Sequence, residues 1–440
     1  MGSLSSYEML KVAPKLALNK KMENMRLEIR IWLGIIAACA GLNLRAEPLL
    51  KDGDRMVFLG DSITEQKIYT RDVMNFFTLR YPDARIAFRN VGWNGEMADG
   101  GLRRLERDVL SFKPTLVSVS YGMNDGGYGR FDQAAYTNYL ANMTGIVHRL
   151  QAAGVQVVLL TPGCVDPDQY FRWKPFDGKV YNETLARFAA GVKELAAQAG
   201  TPVCDLHTRM LDIQTRAKRD NPKFTMLPDM IHPDSFGHTV MTYVLLKTLG
   251  CADQPSGMTL DVSSGRVQAD RCTVTGLVIA ARAVSFTRRD AALPAYIEPA
   301  AQAGLKYLPF EQDLNQYRFA VSGLAAGRWR LKVQGLDVGD YTHTELAQGV
   351  NLASRPGPWL ELGRQVNRLS QEFEDAYYVR WRQLGLPFDW LQFRLPELKP
   401  DVASLLNKID ATIVQREQAR WTVVRDRTWR WELRMEGSPL

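Results

Sequence analysis

The sequence has little of several features that would settle its class at once. Its 440 residues include only five cysteines, Cys39, Cys164, Cys204, Cys251 and Cys272, and no two are spaced as CxxC. That excludes a zinc ribbon and a thioredoxin-type motif. Four remain if the N-terminus is removed, enough for two disulfides in an oxidising compartment, though buried free thiols suit a chain of this size equally well. No internal repeat and no low-complexity stretch is present, and 46% hydrophobic with 23% charged residues excludes wholesale disorder and collagen-like repeats. Charge of one sign is also scarce. Residues 1–46 carry seven Lys or Arg and three Glu, so they hold +4 of the net +7. The remainder is nearly balanced, which argues against nucleic acid as a partner.

The N-terminus has the form of a targeting signal. Arg26 and Arg30 precede an apolar run at residues 31–44, followed by Arg45-Ala46-Glu47-Pro48. A charged start, a short apolar stretch and a small residue describe a secretory signal peptide over about residues 25–46. The run is shorter than the roughly 20 residues that span a bilayer, so no integral membrane span is expected after cleavage. Met22 and Met25 are alternative starts, and Ile36-Ala37-Ala38-Cys39 offers a lipoprotein site at Cys39 as a second option. The expected location is secreted or periplasmic.

Beyond the signal the pattern changes twice. Over residues 50–252, short apolar runs at 55–59, 85–91, 115–121 and 155–161 alternate with stretches of helical spacing. These include Met74, Phe77 and Tyr81, then Leu102, Leu105 and Val109, then residues 136–150 and 181–197. Such alternation predicts an α/β fold, a parallel sheet covered by helices on both faces, with its site at the carboxyl ends of the strands. Residues 257–355 read as a small β-rich domain, with strands at 273–280 and 317–322 and a hairpin turn at 323–327. Residues 356–440 return to helical spacing, with Leu362, Val366, Leu369, Phe373 and Tyr377 on one face and Val402, Leu405, Ile409 and Ile413 on another.

Four polar clusters each fall just after a predicted strand or just before a predicted helix. Gly60-Asp61-Ser62-Ile63 closes the first strand, where a Ser is exposed as a nucleophile. Asn90-Val91-Gly92-Trp93-Asn94-Gly95 is a Gly-rich turn able to aim backbone N–H groups outward. Gly122-Met123-Asn124-Asp125 brings a carboxamide to the third strand end, and Asp229-Met230-Ile231-His232-Pro233 sets an acid three residues before an imidazole. Each cluster alone reads equally well as a turn, a cap or a loop ion pair. Taken together, and in this order, they resemble the blocks of the SGNH/GDSL hydrolase superfamily over roughly residues 55–250, with Ile63 where the family name has Leu.

The resemblance implies a flavodoxin-like three-layer α/β/α domain with a C-terminal β-rich and helical extension. It implies Ser62 as nucleophile, His232 as general base and Asp229 as its orienting acid. It also implies an oxyanion hole from the N–H of Ser62, the N–H of Gly95 and the side chain of Asn124, with no cofactor and no metal. Among five histidines, His148 lies in a predicted helix, His207 follows a strand, and His343 lies outside this region. That leaves His238 as the rival to His232, and a metal set of Asp229, His232 and His238 as the alternative chemistry. Asp234 is expected to cap a helix and Asp61 to anchor a loop.

Trp93 and Tyr121 are the expected substrate-binding aromatics, with Tyr128 nearby. The expected function is a secreted serine esterase removing short acyl groups, foremost acetyl, from carbohydrates. The alternatives are an acyltransferase on the same scaffold and a non-catalytic polysaccharide-binding protein.

Overall fold

Five apolar segments become the strands of one parallel sheet: β1 (Arg55–Gly60), β2 (Ala87–Gly92), β3 (Leu116–Ser120), β4 (Gln156–Leu160) and β5 (Val203–Cys204). Their order is β2-β1-β3-β4-β5. In the computed structural model, which describes residues 48–251, 254–387 and 393–436, the expected signal segment and Cys39 lie outside the described residues. Among the described residues no helix is long and apolar enough to cross a membrane.

The sheet is apolar on both faces, as a covered parallel sheet must be. β1 sends Met56 and Phe58 into one cluster and Val57 and Leu59 into another. Helices α1 (Ser62–Glu65), α2 (Ile68–Arg80), α3 (Ala98–Arg103), α4 (Leu105–Asp108), α5 (Gln133–Ala152), α6 (Gly178–Ala199), α7 (Leu206–Asp220) and α8 (Ser235–Thr248) connect the strands. Side chains of α2, α7 and α8 fill the first cluster, and those of α5 and much of α6 fill the second. The expected three-layer α/β/α arrangement is therefore present. The helix expected through Leu102, Leu105 and Val109 is broken at Arg104, whose side chain turns inward to the Val91 carbonyl and Glu96.

The C-terminal part adds two sheets. One runs β13-β10-β6-β7, the other β12-β11-β14-β9-β8. Their strands are β6 (Gly257–Asp261), β7 (Arg266–Asp270), β8 (Cys272–Ala280), β9 (Ala283–Asp290), β10 (Arg318–Ser322), β11 (Arg328–Val333), β12 (Leu336–Thr342), β13 (Val350–Asn351) and β14 (Thr428–Met435). A shared core joins them, with Leu260, Phe319 and Val321 from the first sheet against Phe286, Leu331 and Trp431 from the second.

Two expectations fail here. Residues 323–327 do not form a hairpin turn, because β10 and β11 belong to different sheets and face each other across that core. The C-terminal segment also does not stay helical to its end. In β14 the alternation Trp429, Trp431, Leu433 in and Arg430, Glu432, Arg434 out has a period of two, and the strand inserts between β11 and β9.

Two short helices, α9 (Phe310–Leu314) and α10 (His343–Gln348), lie among these strands. After β13 come α11 (Pro358–Tyr378), a π-helical turn at Val379–Gly385 and α12 (Lys399–Val423). α11 packs on α2, and α12 packs on α11. Phe373, Ala376 and Ile413 join the same apolar cluster as Met56 and Phe58 of the parallel sheet. Asn367 accepts from Asn75 at 2.8 Å, and the fully buried Arg420 reaches the Ile86 carbonyl and Thr78.

Candidate active site

Ser62 opens α1 directly after β1, so its first-turn N–H has no intrahelical partner. Asp61 caps the helix by accepting from the Ile63 N–H at 3.0 Å, the anchoring role expected for it. Burial, reinforced by the nearby Asp125 and Glu96 carboxylates, pushes the Asp61 carboxyl up to about 7.

The Ser62 Oγ lies 2.9 Å from Nε2 of His232. On the other side of the ring, Nδ1 lies 2.7 Å from Oδ2 of Asp229. The second Asp229 oxygen accepts from the backbone N–H groups of His232 and Ile231 at 2.7 and 3.1 Å. Burial raises the Asp229 carboxyl, but the bonds from His232 and Ile231 outweigh it and hold the group below the usual range. The carboxylate is thus ionised at neutral pH and fixes Nδ1 as the protonated nitrogen, leaving Nε2 to accept from Ser62.

The turn that achieves this is strained. Met230 has φ of 82° and is buried. A non-glycine residue in that region costs on the order of 1–3 kcal/mol. Bonds from Met230 N–H to the Leu227 carbonyl and from Asp166 N–H to the Met230 carbonyl hold it there.

The rival assignments separate by burial. His238 is fully buried, donates from Nε2 to the side-chain oxygen of Gln66 at 2.8 Å and stacks on Tyr69, and burial lowers its pKa to about 3. It does not converge with His232 and Asp229. Asp234 caps α8 through the Gly237 N–H at 2.8 Å, as expected.

Gly95 sits at φ of 73° on an exposed turn with open space beside it. Among the described residues neither its N–H nor that of Ser62 has a hydrogen-bond partner. One Asn124 amide hydrogen goes to the Glu96 carbonyl at 2.9 Å, and Tyr128 donates to its Oδ1 at 2.5 Å. This fixes the flip of the carboxamide and leaves a second amide hydrogen for a ligand. Ser62, Gly95 and Asn124 stand at the ends of adjacent strands β1, β2 and β3.

Three supports were not visible in the sequence. Glu96 is clamped by Arg104 at 2.6 Å and by Tyr121 O–H at 2.6 Å, which pins the turn carrying Gly95. Asp125 accepts from the N–H groups of Ala98 and Gly122 at 2.9 and 3.0 Å, and burial pushes its carboxyl up to about 6. The spacing of Glu96 and Arg104 was the available signal.

The structure corrects one expected binding residue. Tyr121 is only 1% exposed and supports Glu96 from the core rather than facing a substrate, because its strand end is covered by the 93–97 turn. Trp93 is part-exposed, with its backbone N–H on the Gly60 carbonyl and its ring against Trp381. The loop after β4 supplies aromatics that sequence reasoning missed: Phe171 lies 6.5 Å from the His232 ring, and Tyr170 and Trp173 are 66% and 73% exposed.

All four cysteines among the described residues are free.

Residues 58–240 match the GDSL-like lipase/acylhydrolase family. An acetylxylan esterase of Geobacillus stearothermophilus is 22% identical over 225 residues, spanning 45% of this chain and 94% of that protein. The solved structure of BT4096, a gut microbial diltiazem-metabolizing enzyme, aligns with a TM-score of 0.76 at 24% identity. It covers 89% of this chain and 99% of its own, so the likeness of fold includes the C-terminal sheets and helices. By its fold and its family match, the chain carries in residues 58–240 an ester-bond hydrolase domain of the SGNH/GDSL superfamily.

Proposed function

We propose that this hydrolase is a secreted serine esterase that removes short acyl groups, acetyl foremost, from carbohydrates. The observation that carries the chemistry is the unbroken chain of contacts from Ser62 Oγ through His232 to Asp229, at 2.9 and 2.7 Å. His232 Nε2 takes the Ser62 proton as Oγ bonds to the acyl carbon. The oxyanion that forms meets the N–H groups of Ser62 and Gly95 and the Asn124 amide. When the C–O bond to the alcohol breaks, the imidazolium returns its proton to the leaving oxygen. Water, deprotonated by the same ring, then releases the acid and frees Ser62.

The carbohydrate reading rests on the acetylxylan esterase relative and on the exposed Tyr170 and Trp173, which flank Phe171, the ring 6.5 Å from that of His232. Flat aromatic faces suit sugar rings. Secretion rests on the signal-like N-terminus.

The test is acetate release from acetylated xylan, with 4-nitrophenyl acetate as a general ester. Ser62→Ala is expected to cut kcat on both by at least about 10³-fold. Equal turnover by wild type and variant would end the assignment of Ser62. Cleavage of 4-nitrophenyl acetate with no acetate from polysaccharide would end the carbohydrate reading alone.

A further inference from the structure

The sheet order sets the strand ends in a row, with β2 and β4 on opposite sides of the pair that carries Ser62 and Asn124. At adjacent-strand spacing, β2 and β4 lie about 14 Å apart. An Arg–Trp stack stands at each end of this row. At the β2 end, the guanidinium of Arg382 lies 3.5 Å from the centre of the Trp93 ring. Arg382 comes from the π-helical turn that continues α11, a local irregularity frequent at functional sites. The end of α11 is tied to the nucleophile's own helix, because Tyr378 O–H donates to Glu65 at 2.8 Å. At the β4 end, Arg172 lies 4.4 Å from the Trp173 ring in the loop whose Phe171 touches His232.

Neither arginine forms an ion pair among the described residues. The Nε of Arg382 is buried without a hydrogen-bond partner. A guanidinium laid on an indole spends its face there and keeps its planar N–H edge free, in the fork geometry that matches a carboxylate.

We propose that Arg382 on Trp93 and Arg172 on Trp173 form two anion subsites flanking Ser62, which select acylated saccharides that carry carboxylates. The proposal rests on the esterase reading above and gives the C-terminal extension a part in substrate choice.

The experiment compares kcat/KM for acetate release from acetylated polygalacturonate and from acetylated xylan without uronate branches. Wild type is expected to favour the acidic polymer by at least about tenfold at low salt, and the preference should shrink near 0.5 M salt. Arg382→Gln and Arg172→Gln should each lower the acidic-to-neutral ratio by about tenfold, or 1.4 kcal/mol. Arg382→Lys, which keeps charge but not the fork, should fall between, and circular dichroism checks that each variant is folded. An unchanged ratio in both Gln variants, or a wild-type preference for the neutral polymer, overturns the anion subsites while leaving the esterase intact. Acetate release from neither polymer overturns the carbohydrate reading and this proposal with it.

Discussion

Asn124 is held from two sides, by the Glu96 carbonyl and by Tyr128, so its remaining amide hydrogen points with little freedom. A donor fixed in this way costs no reorganisation when charge develops on the acyl oxygen. Asn124→Ala should therefore lower kcat by about 10²–10³-fold, worth about 2.7–4 kcal/mol, with a much smaller change in KM. Steady-state kinetics on 4-nitrophenyl acetate check this, and an equal loss confined to KM would move Asn124 out of the oxyanion hole. Ser62, Gly95 and Asn124 were legible because each lies within a few positions of a strand end, where a short motif fixes its place. Asp229 and His232 are three apart and needed no long-range folding information. Glu96 and Arg104 were not legible in the same way. Two opposite charges on a turn and a short helix usually face water, and only the inward swing of Arg104 onto Val91 and Tyr121 makes them part of the scaffold. Tyr121 was misread for the complementary reason, since an aromatic at a strand end is equally suited to a core or a site.

At the level of elements, catalysis depends on how closely β2 backs onto α1. Gly92 makes that approach. A Cβ there would stand 2.2 Å from the Glu65 nitrogen and 2.6 Å from the Thr64 carbonyl carbon, both backbone atoms that have no rotamer to yield. Gly92→Ala should force the β2 end away from α1, carrying Gly95 and Trp93 with it. Overpacking against rigid atoms costs about 1–3 kcal/mol or more, and the turn that moves is the one bearing an oxyanion donor. Both thermal stability and kcat should fall. Gly129→Ala is the matched control: a Cβ there meets nothing within 4 Å, and its effect should stay within about 0.5 kcal/mol. Parallel melting curves and initial rates decide the matter, and a stable, fully active Gly92→Ala variant would show that the contact is not needed. The strands β1 to β4 were legible since each is a continuous apolar run, whereas β5 has two residues and gave no periodic signal. β14 was hidden in a segment dense in Trp and Arg, where a period of two is easily missed unless the distant partners β9 and β11 are known.

Across the whole molecule, the C-terminal helices are built into the hydrolase fold through polar contacts that titrate. Glu374 of α11 is buried against α2, accepting from Thr70 at 3.2 Å, with Arg71 no nearer than 3.8 Å to its other oxygen. Burial pushes its carboxyl up to about 8, against the opposing pull of Arg71 and Lys67. The folded protein thus keeps this proton where the unfolded chain, with an ordinary glutamate near 4.5, has lost it. The unfolded state binds fewer protons over that interval, so stability declines as pH rises from about 4.5 to 8 and the contribution is gone above it. Asp61, raised to about 7, acts with the same sign. Asp229, held low, acts with the opposite sign and only in the acid range. Glu374→Gln keeps the shape and the acceptor for Thr70 and removes the titration. It should leave the melting temperature nearly unchanged at pH 5 and raise it by a few degrees at pH 8.5, corresponding to about 1–3 kcal/mol. The slope is reduced rather than abolished, because Asp61 still titrates. Melting curves from pH 5 to 8.5 for both proteins test this, and parallel curves would mean that α11 meets α2 without a buried proton.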